Sequence, residues 1–323
     1  MITREKLENQ QIWIYGISLI FGGVLGISNE DLGTSLDWTI SPFIAILMYG
    51  MFAQIPFLKL REAISNIRFM VALLIGNFIA VPIIVWILIT IFPQSPPILL
   101  GVCLVLLTPC IDYVIVFTQL GKGNEKLMLA STPILFVVQM VLLPLYLWLF
   151  IGEEMVGVVQ IGPFIEAFLL LIVVPLILAV ITQLWAKKRA LGEKALELTA
   201  WLPVPFMALV LIVVVASKIG KIYSDFEIIM RVIPIYILFL IITPLVSRFI
   251  AYVFNLDKGA GRALIFSTGT RNSLVVLPLA LALPDSWATL AAAVIVTQTI
   301  VELIGELFYI KAIPKLILKD HTD

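Results

Sequence analysis

Long apolar runs alternate with short polar intervals over nearly the whole chain. A helix that crosses a membrane needs roughly 20 mostly apolar residues. On that basis the pattern predicts ten spans, at 12–27, 39–57, 69–92, 98–119, 127–151, 163–185, 196–216, 228–254, 263–283 and 286–310. The intervals are short, and none reads as a soluble domain or a low-complexity segment. The expected fold class is all-α integral membrane, with 1–323 as a single membrane domain.

Composition strengthens this reading. Apolar residues make up 61% of the 323 positions and charged residues 13%, against roughly 25% charged in soluble domains. Lipid must therefore solvate much of the surface. A net charge of zero gives no sign of nucleic-acid binding. The one histidine, His321, stands near the C-terminus, which argues against histidine catalysis and histidine metal sites. Cys103 and Cys110 have no zinc spacing, and on one helix they would lie about 10 Å apart along the axis. No cofactor, no resident metal and no enzymatic constellation is expected. The first apolar run lacks a small-x-small cleavage site, so it is expected to stay as a helix.

Basic residues set the orientation, because they concentrate in cytoplasmic loops. With the N-terminus inside, all of the 21 basic residues except Lys218, Lys221, Arg231 and Arg271 fall on the cytoplasmic side or at its edge. The predicted outer loops 30–37 and 152–160 contain none. Both termini are therefore expected in the cytoplasm, in a multi-pass protein of the plasma membrane. Trp13, Trp38, Trp148, Trp185 and Trp287 stand at span ends, where interfacial anchors belong.

An internal repeat follows from one offset. Pro42-Phe43-Ile44-Ala45 resembles Pro205-Phe206-Met207-Ala208 at 163 positions, and Pro109 matches Asn272, and Gln139 Glu302, at the same offset. Pro82 and Pro244 are offset by 162. The repeats would cover 12–151 and 163–312. Five helices per repeat is an odd number, so the halves are expected to be inverted, with broken helices crossing at spans 4 and 9. Inverted repeats with discontinuous helices are a signature of secondary transporters.

The candidate chemistry lies at those two breaks. Pro109 removes a backbone donor and disfavours helix, and Thr108, Cys110 and Asp112 surround it. Span 9 carries Ser267-Thr268-Gly269-Thr270-Arg271-Asn272-Ser273 inside an apolar run. The same features also suit a proline kink and a small-residue packing face. An unpaired charge at mid-membrane costs roughly 3 kcal/mol on insertion scales, so Asp112 and Arg271 are expected to meet, as a charge relay, an anion site or a structural ion pair. Glu302 and Glu306 lie four apart on one helix face. A carboxyl held away from water takes up a proton more readily, which suits proton carriage. Glu306 also suits an interfacial position. Cys110 offers a soft sulfur ligand or a small packing residue, whereas Cys103 sits among aliphatics.

These residues resemble the bile acid/sodium symporter and arsenite-efflux superfamily along nearly the whole chain. Pro109-Cys110 followed by Gly121-Lys122-Gly123-Asn124 is similar to the arsenite-efflux branch. There a span-4 cysteine and a span-10 glutamate form the functional pair, which implies roles for Cys110 and Glu302. Gly269-Thr270-Arg271-Asn272-Ser273 resembles a glycine-methionine-glutamine-asparagine-serine segment of the sodium-coupled branch. Where that branch presents sodium ligands, this chain has Val114, Ile115, Ser267 and Arg271. The resemblance therefore implies that sodium coupling is lost and that Arg271 stands in as a tethered charge. Arg271 departs from the efflux branch as well.

The expectation is a proton-coupled secondary transporter that exports arsenite or antimonite. Cys110, Thr108, Asp112, Arg271, Asn272 and Ser273 would contact the substrate, and Glu302 and Glu306 would carry the proton. The alternative is a transporter of a small organic anion, with Arg271 holding its carboxylate. The expected partners are a small molecule or oxyanion, protons and the bilayer.

Overall fold

A computed structural model describes residues 10–29, 35–57, 66–111, 113–152, 168–224 and 230–319, with Leu7, Gly33, Glu166 and Glu227 as isolated positions. Asp112, Lys59, Arg61, most of the loop expected at 152–160 and part of that at 30–37 lie outside the described residues. The helices are α1 (Gln11–Ser28), α2 (Ile40–Gln54), α3 (Ile67–Ile75), α4 (Val81–Ile91), α5 (Pro96–Leu106), α6 (Val114–Leu120) and α7 (Glu125–Ile151). They continue with α8 (Val174–Ala186), α9 (Ala190–Thr199), α10 (Pro203–Ser224), α11 (Ile233–Val253), α12 (Lys258–Gly269), α13 (Ser273–Leu281) and α14 (Asp285–Ala312). No strand occurs among the described residues, only an isolated antiparallel bridge between Pro109 and Arg271.

Local chemistry explains several boundaries. Asn66, Asn124 and Asp257 each accept a backbone N–H three residues on, from Phe69, Leu127 and Ala260, and so cap α3, α7 and α12. A π-turn, Gly76–Ala80, joins α3 to α4, and another, Leu169–Val173, precedes α8. Each ends just before a valine-proline pair, Val81-Pro82 or Val174-Pro175. A proline has no N–H and crowds the carbonyl four residues back, and a wider turn relieves that crowding. Tyr146 donates to the Phe78 carbonyl within the first π-turn at 2.6 Å.

Among the described residues six helices are long and apolar enough to cross a membrane: Ile67–Ile91, Glu125–Ile151, Leu169–Ala186, Ala190–Ser217, Ile233–Val253 and Trp287–Ile317. Trp13–Ser28, Ile40–Gln54 and Pro96–Leu106 are shorter apolar helices. The spans expected at 98–119 and 263–283 are each interrupted. Large apolar side chains are exposed on most of these helices, among them Ile20, Trp86, Val141, Ile181, Leu245 and Phe308. Asn77, Gln139, Arg271, Glu302 and Glu306 are buried. Apolar outside and polar inside is the distribution expected when lipid is the solvent. The chain is a multi-pass membrane protein.

Contacts divide the chain into two compact units. One comprises Met1–Ile55, Val159–Glu227 and Leu277–Thr289. Within it α1 and α10 approach closely, because a Cβ on Gly22 would stand 2.7 Å from the Ile212 carbonyl oxygen. Phe43 and Phe206 meet edge to face, centroids 5.9 Å apart. Gln183 of α8 donates to the carbonyls of Phe52, Ala53 and Ile55 and so serves the orphan acceptors at the end of α2. The second unit comprises Pro56–Val158, Ile228–Val276 and Leu290–Asp323. It contains both breaks and all the candidate site residues.

Candidate functional site

The site is built by two interrupted helices of the second unit. Thr108 precedes Pro109, a position that disfavours helix, and α5 ends at Leu106. The Thr108 hydroxyl turns back to the Leu104 carbonyl at 2.8 Å. On the other side α12 ends at Gly269, and Thr270 is extended, with φ −91° and ψ 130°. Asn272 restarts the chain as α13, its Oδ1 accepting the Val275 N–H at 3.2 Å.

Backbone groups freed by one break are taken up by the other. Cys110 N–H donates to the Thr270 carbonyl at 3.1 Å, and Asn272 N–H to the Thr108 carbonyl at 2.9 Å. Buried backbone polar groups must be paired, so this exchange is what allows two irregular segments to persist in the interior. It also fixes Cys110, Arg271 and Asn272 relative to one another.

Arg271 is 0% exposed. Its guanidinium donates to Asn77 Oδ1 at 2.8 Å, to the Ser267 carbonyl at 2.6 Å and to the Leu106 carbonyl at 3.3 Å. It also lies over the Phe239 ring, 5.6 Å from the centroid. These partners are neutral oxygens and a ring face. Among the described residues no carboxylate bonds the guanidinium, and its Nε has no partner. Asp112, the expected partner, lies outside those residues. Asn77 is held in turn by the Leu73 carbonyl at 3.1 Å and by Ser267 Oγ at 3.0 Å. The π-turn is thus what presents Asn77 to the arginine.

Glu302 holds the backbone of the same break and not the arginine side chain. Its Oε2 accepts the Arg271 N–H at 2.8 Å and Gln298 Nε2 at 2.5 Å. Its Oε1 lies 2.8 Å from the Tyr113 hydroxyl, which is also 2.8 Å from the Arg271 carbonyl. Glu306, one turn on, is fully buried. Its Oε1 meets the Thr270 hydroxyl at 2.8 Å, and its Oε2 has no partner among the described residues.

The remaining expected residues are also deep. Thr108, Cys110, Asn272 and Ser273 are buried, and Asn272 Nδ2 and Ser273 Oγ have no partner among the described residues. Both cysteines are buried thiols, but only Cys110 lies at a break; Cys103 sits within α5. Gln139 is buried, and neither amide atom has a partner among the described residues. Sequence reasoning missed Asn77, Tyr113 and Gln298. A lone asparagine, tyrosine or glutamine in an apolar run carries little signal. The one available signal was polarity itself: Asn77 and Gln298 are amides that lipid would not tolerate.

The profile of the sodium bile acid symporter family matches residues 41–225, more than half of the chain. That stretch includes the first break but not Arg271 or Glu302. No curated protein matches the chain.

Proposed function

The chain belongs to the sodium bile acid symporter family, and from that premise we propose a proton-coupled secondary transporter that exports arsenite or antimonite. The observation that carries the coupling is the placement of Arg271. Its guanidinium occupies a buried set of oxygens from Leu106, Ser267 and Asn77, the kind of set that would replace the hydration shell of a bare cation. A tethered positive charge already uses it. Glu302 is then the exchangeable group, because it is a buried carboxyl joined to the break backbone.

The cargo follows from the sulfur. Trivalent arsenic is thiophilic, and Cys110 is the thiol at the break. In the binding step the Cys110 sulfur bonds to arsenic as one As–OH bond breaks, and the thiol proton leaves with that hydroxide as water. A single sulfur holds the cargo weakly enough to release it. Thr108, Asp112, Asn272 and Ser273 would contact its remaining hydroxyls, and Glu306 would back Glu302. The organic-anion reading has one observation in its favour, an Arg271 Nε with no partner among the described residues, but the other guanidinium nitrogens are already engaged.

Cells lacking other arsenic exporters test this. Cys110→Ser is expected to lose arsenite protection at matched expression, and Cys103→Ser to retain it. Full protection by Cys110→Ser would reject sulfur as the ligand and favour the organic anion.

For the architecture we propose ten spans as inverted repeats, 12–151 and 163–312. The edge-to-face contact of Phe43 with Phe206, the matched tetrapeptides of the two halves, supports it. So does the bridge joining Pro109 to the residue before Asn272. The proposed location is the plasma membrane with both termini cytoplasmic. A reporter inserted at 152–160 should read external, and one at 187–194 cytoplasmic. The reverse at either loop would overturn the orientation.

A further inference from the structure

Tyr113 carries one hydroxyl hydrogen, yet two buried acceptors stand 2.8 Å from its oxygen, Glu302 Oε1 and the Arg271 carbonyl. A phenol is one donor and one acceptor, so it serves both neighbours fully only if one of them donates. The Arg271 carbonyl cannot donate. Glu302 can, once it carries a proton. Its Oε2 faces two donors, Arg271 N–H and Gln298 Nε2, so the proton must sit on Oε1, against Tyr113.

Resting on the reading of Glu302 as the proton carrier, we propose that Tyr113 is the positioning residue that links protonation of Glu302 to the span-9 break. When Glu302 is ionised, the Tyr113 hydrogen points to Oε1 and the Arg271 carbonyl is left without it. When Glu302 is protonated, its O–H donates to the Tyr113 oxygen and the Tyr113 hydrogen turns to the Arg271 carbonyl. Proton loading therefore adds one hydrogen bond to the broken backbone, and unloading removes it. No bond other than O–H is made or broken.

The same arrangement recurs one turn along α14. The Thr270 hydroxyl, also one donor, stands 2.7 Å from the Phe266 carbonyl and 2.8 Å from Glu306 Oε1. Two carboxyls on one helix face thus each meet a rotatable hydroxyl that also reaches a carbonyl of the α12 region. The ionisable groups facing Glu302 are Arg271, Tyr113, Glu306 and Tyr309, with Cys110 on the arginine side. Asp112 lies outside the described residues.

The test is pH-difference infrared spectroscopy of the purified protein in lipid. A buried carboxyl band that vanishes in Glu302→Gln identifies Glu302. Tyr113→Phe keeps the ring and its edge contact with Phe117, centroids 5.9 Å apart, but deletes the hydroxyl. Its loss is unequal for the two states, because a bond to an ionised oxygen is about twice as strong as a neutral one. The Glu302 band is expected to titrate with a midpoint displaced by about one pH unit, tenfold in proton affinity. Tyr236→Phe, which removes a hydroxyl bonded to the Val294 carbonyl at 3.0 Å, should leave the midpoint in place. A Glu302 band that titrates identically in wild type and Tyr113→Phe would overturn the role of Tyr113 and leave proton carriage standing. A Glu302 band that does not titrate at all would overturn both.

Discussion

Arg271→Gln is expected to lower stability by about 3–5 kcal/mol, because it strips the shared donor from three buried acceptors. The guanidinium is the donor to Asn77 Oδ1, the Ser267 carbonyl and the Leu106 carbonyl. Each acceptor left bare in the interior costs about 1–3 kcal/mol, and a glutamine amide is too short to serve all three. Sodium should partly reverse the loss in the variant and have no effect on wild type. A site that binds only the folded state adds up to about 2.7 kcal/mol at a hundredfold excess of ligand over Kd. Thermal unfolding in detergent, with sodium exchanged for potassium at constant ionic strength, reads both effects. Equal melting of Arg271→Gln in the two salts would reject the idea that the arginine replaces a cation. Asp112→Asn belongs in the same assay. If the two charges pair, the double variant should be less unstable than the sum of the singles; additive losses would mean they do not interact.

Glu302→Gln should leave the protein folded, within about 1 kcal/mol of wild type, while Glu302→Ala costs roughly 2–6 kcal/mol. A glutamine reproduces the protonated carboxyl. Its amide oxygen can accept from Arg271 N–H and Gln298 Nε2, and its NH2 can donate to the Tyr113 oxygen. Alanine instead strands the Arg271 N–H and the Gln298 amide, two buried donors at about 1–3 kcal/mol each. Transport should part company with stability here. In reconstituted vesicles a pH jump at clamped voltage should drive flux through wild type and none through Glu302→Gln, and a sodium jump should drive neither. Acid-driven flux at the wild-type rate in Glu302→Gln would refute Glu302 as the carrier. Flux driven by sodium through wild type would refute proton coupling itself.

Much of the frame can be read from sequence, because it rests on local chemistry. Apolar runs near the length of a bilayer have one solution, the helix, since lipid offers no partner for a bare N–H or C=O. Pro109 removes a backbone donor and disfavours helix, and α5 does end three residues before it. The polar run Gly269-Thr270-Arg271-Asn272-Ser273 marks the second break for a similar reason: such depth is tolerated only where the backbone is buried in protein. Burial of Arg271, Glu302 and Glu306 follows from the expense of exposing a charge to lipid.

Partner choice needed the tertiary structure. The sequence directed Arg271 toward Asp112, the nearest opposite charge by repeat logic. Asp112 lies outside the described residues; among those described, folding brings Asn77 to the arginine from 194 positions away, by way of a π-turn that no periodicity announces. Glu302, expected as a proton carrier beside Glu306, is held by Tyr113 from 189 positions away and by the Arg271 backbone. A hydrogen bond depends on two groups arriving within about 3 Å, and sequence spacing fixes that only inside one helix, as for Gln298 and Glu302. Residue type and hydrophobic period thus determined where the helices form, where two of them break and which charges are buried. The distances among Asn77, Tyr113, Arg271 and Glu302 were set only when separate helices packed, because each bond among those side chains joins segments that nothing local brings together.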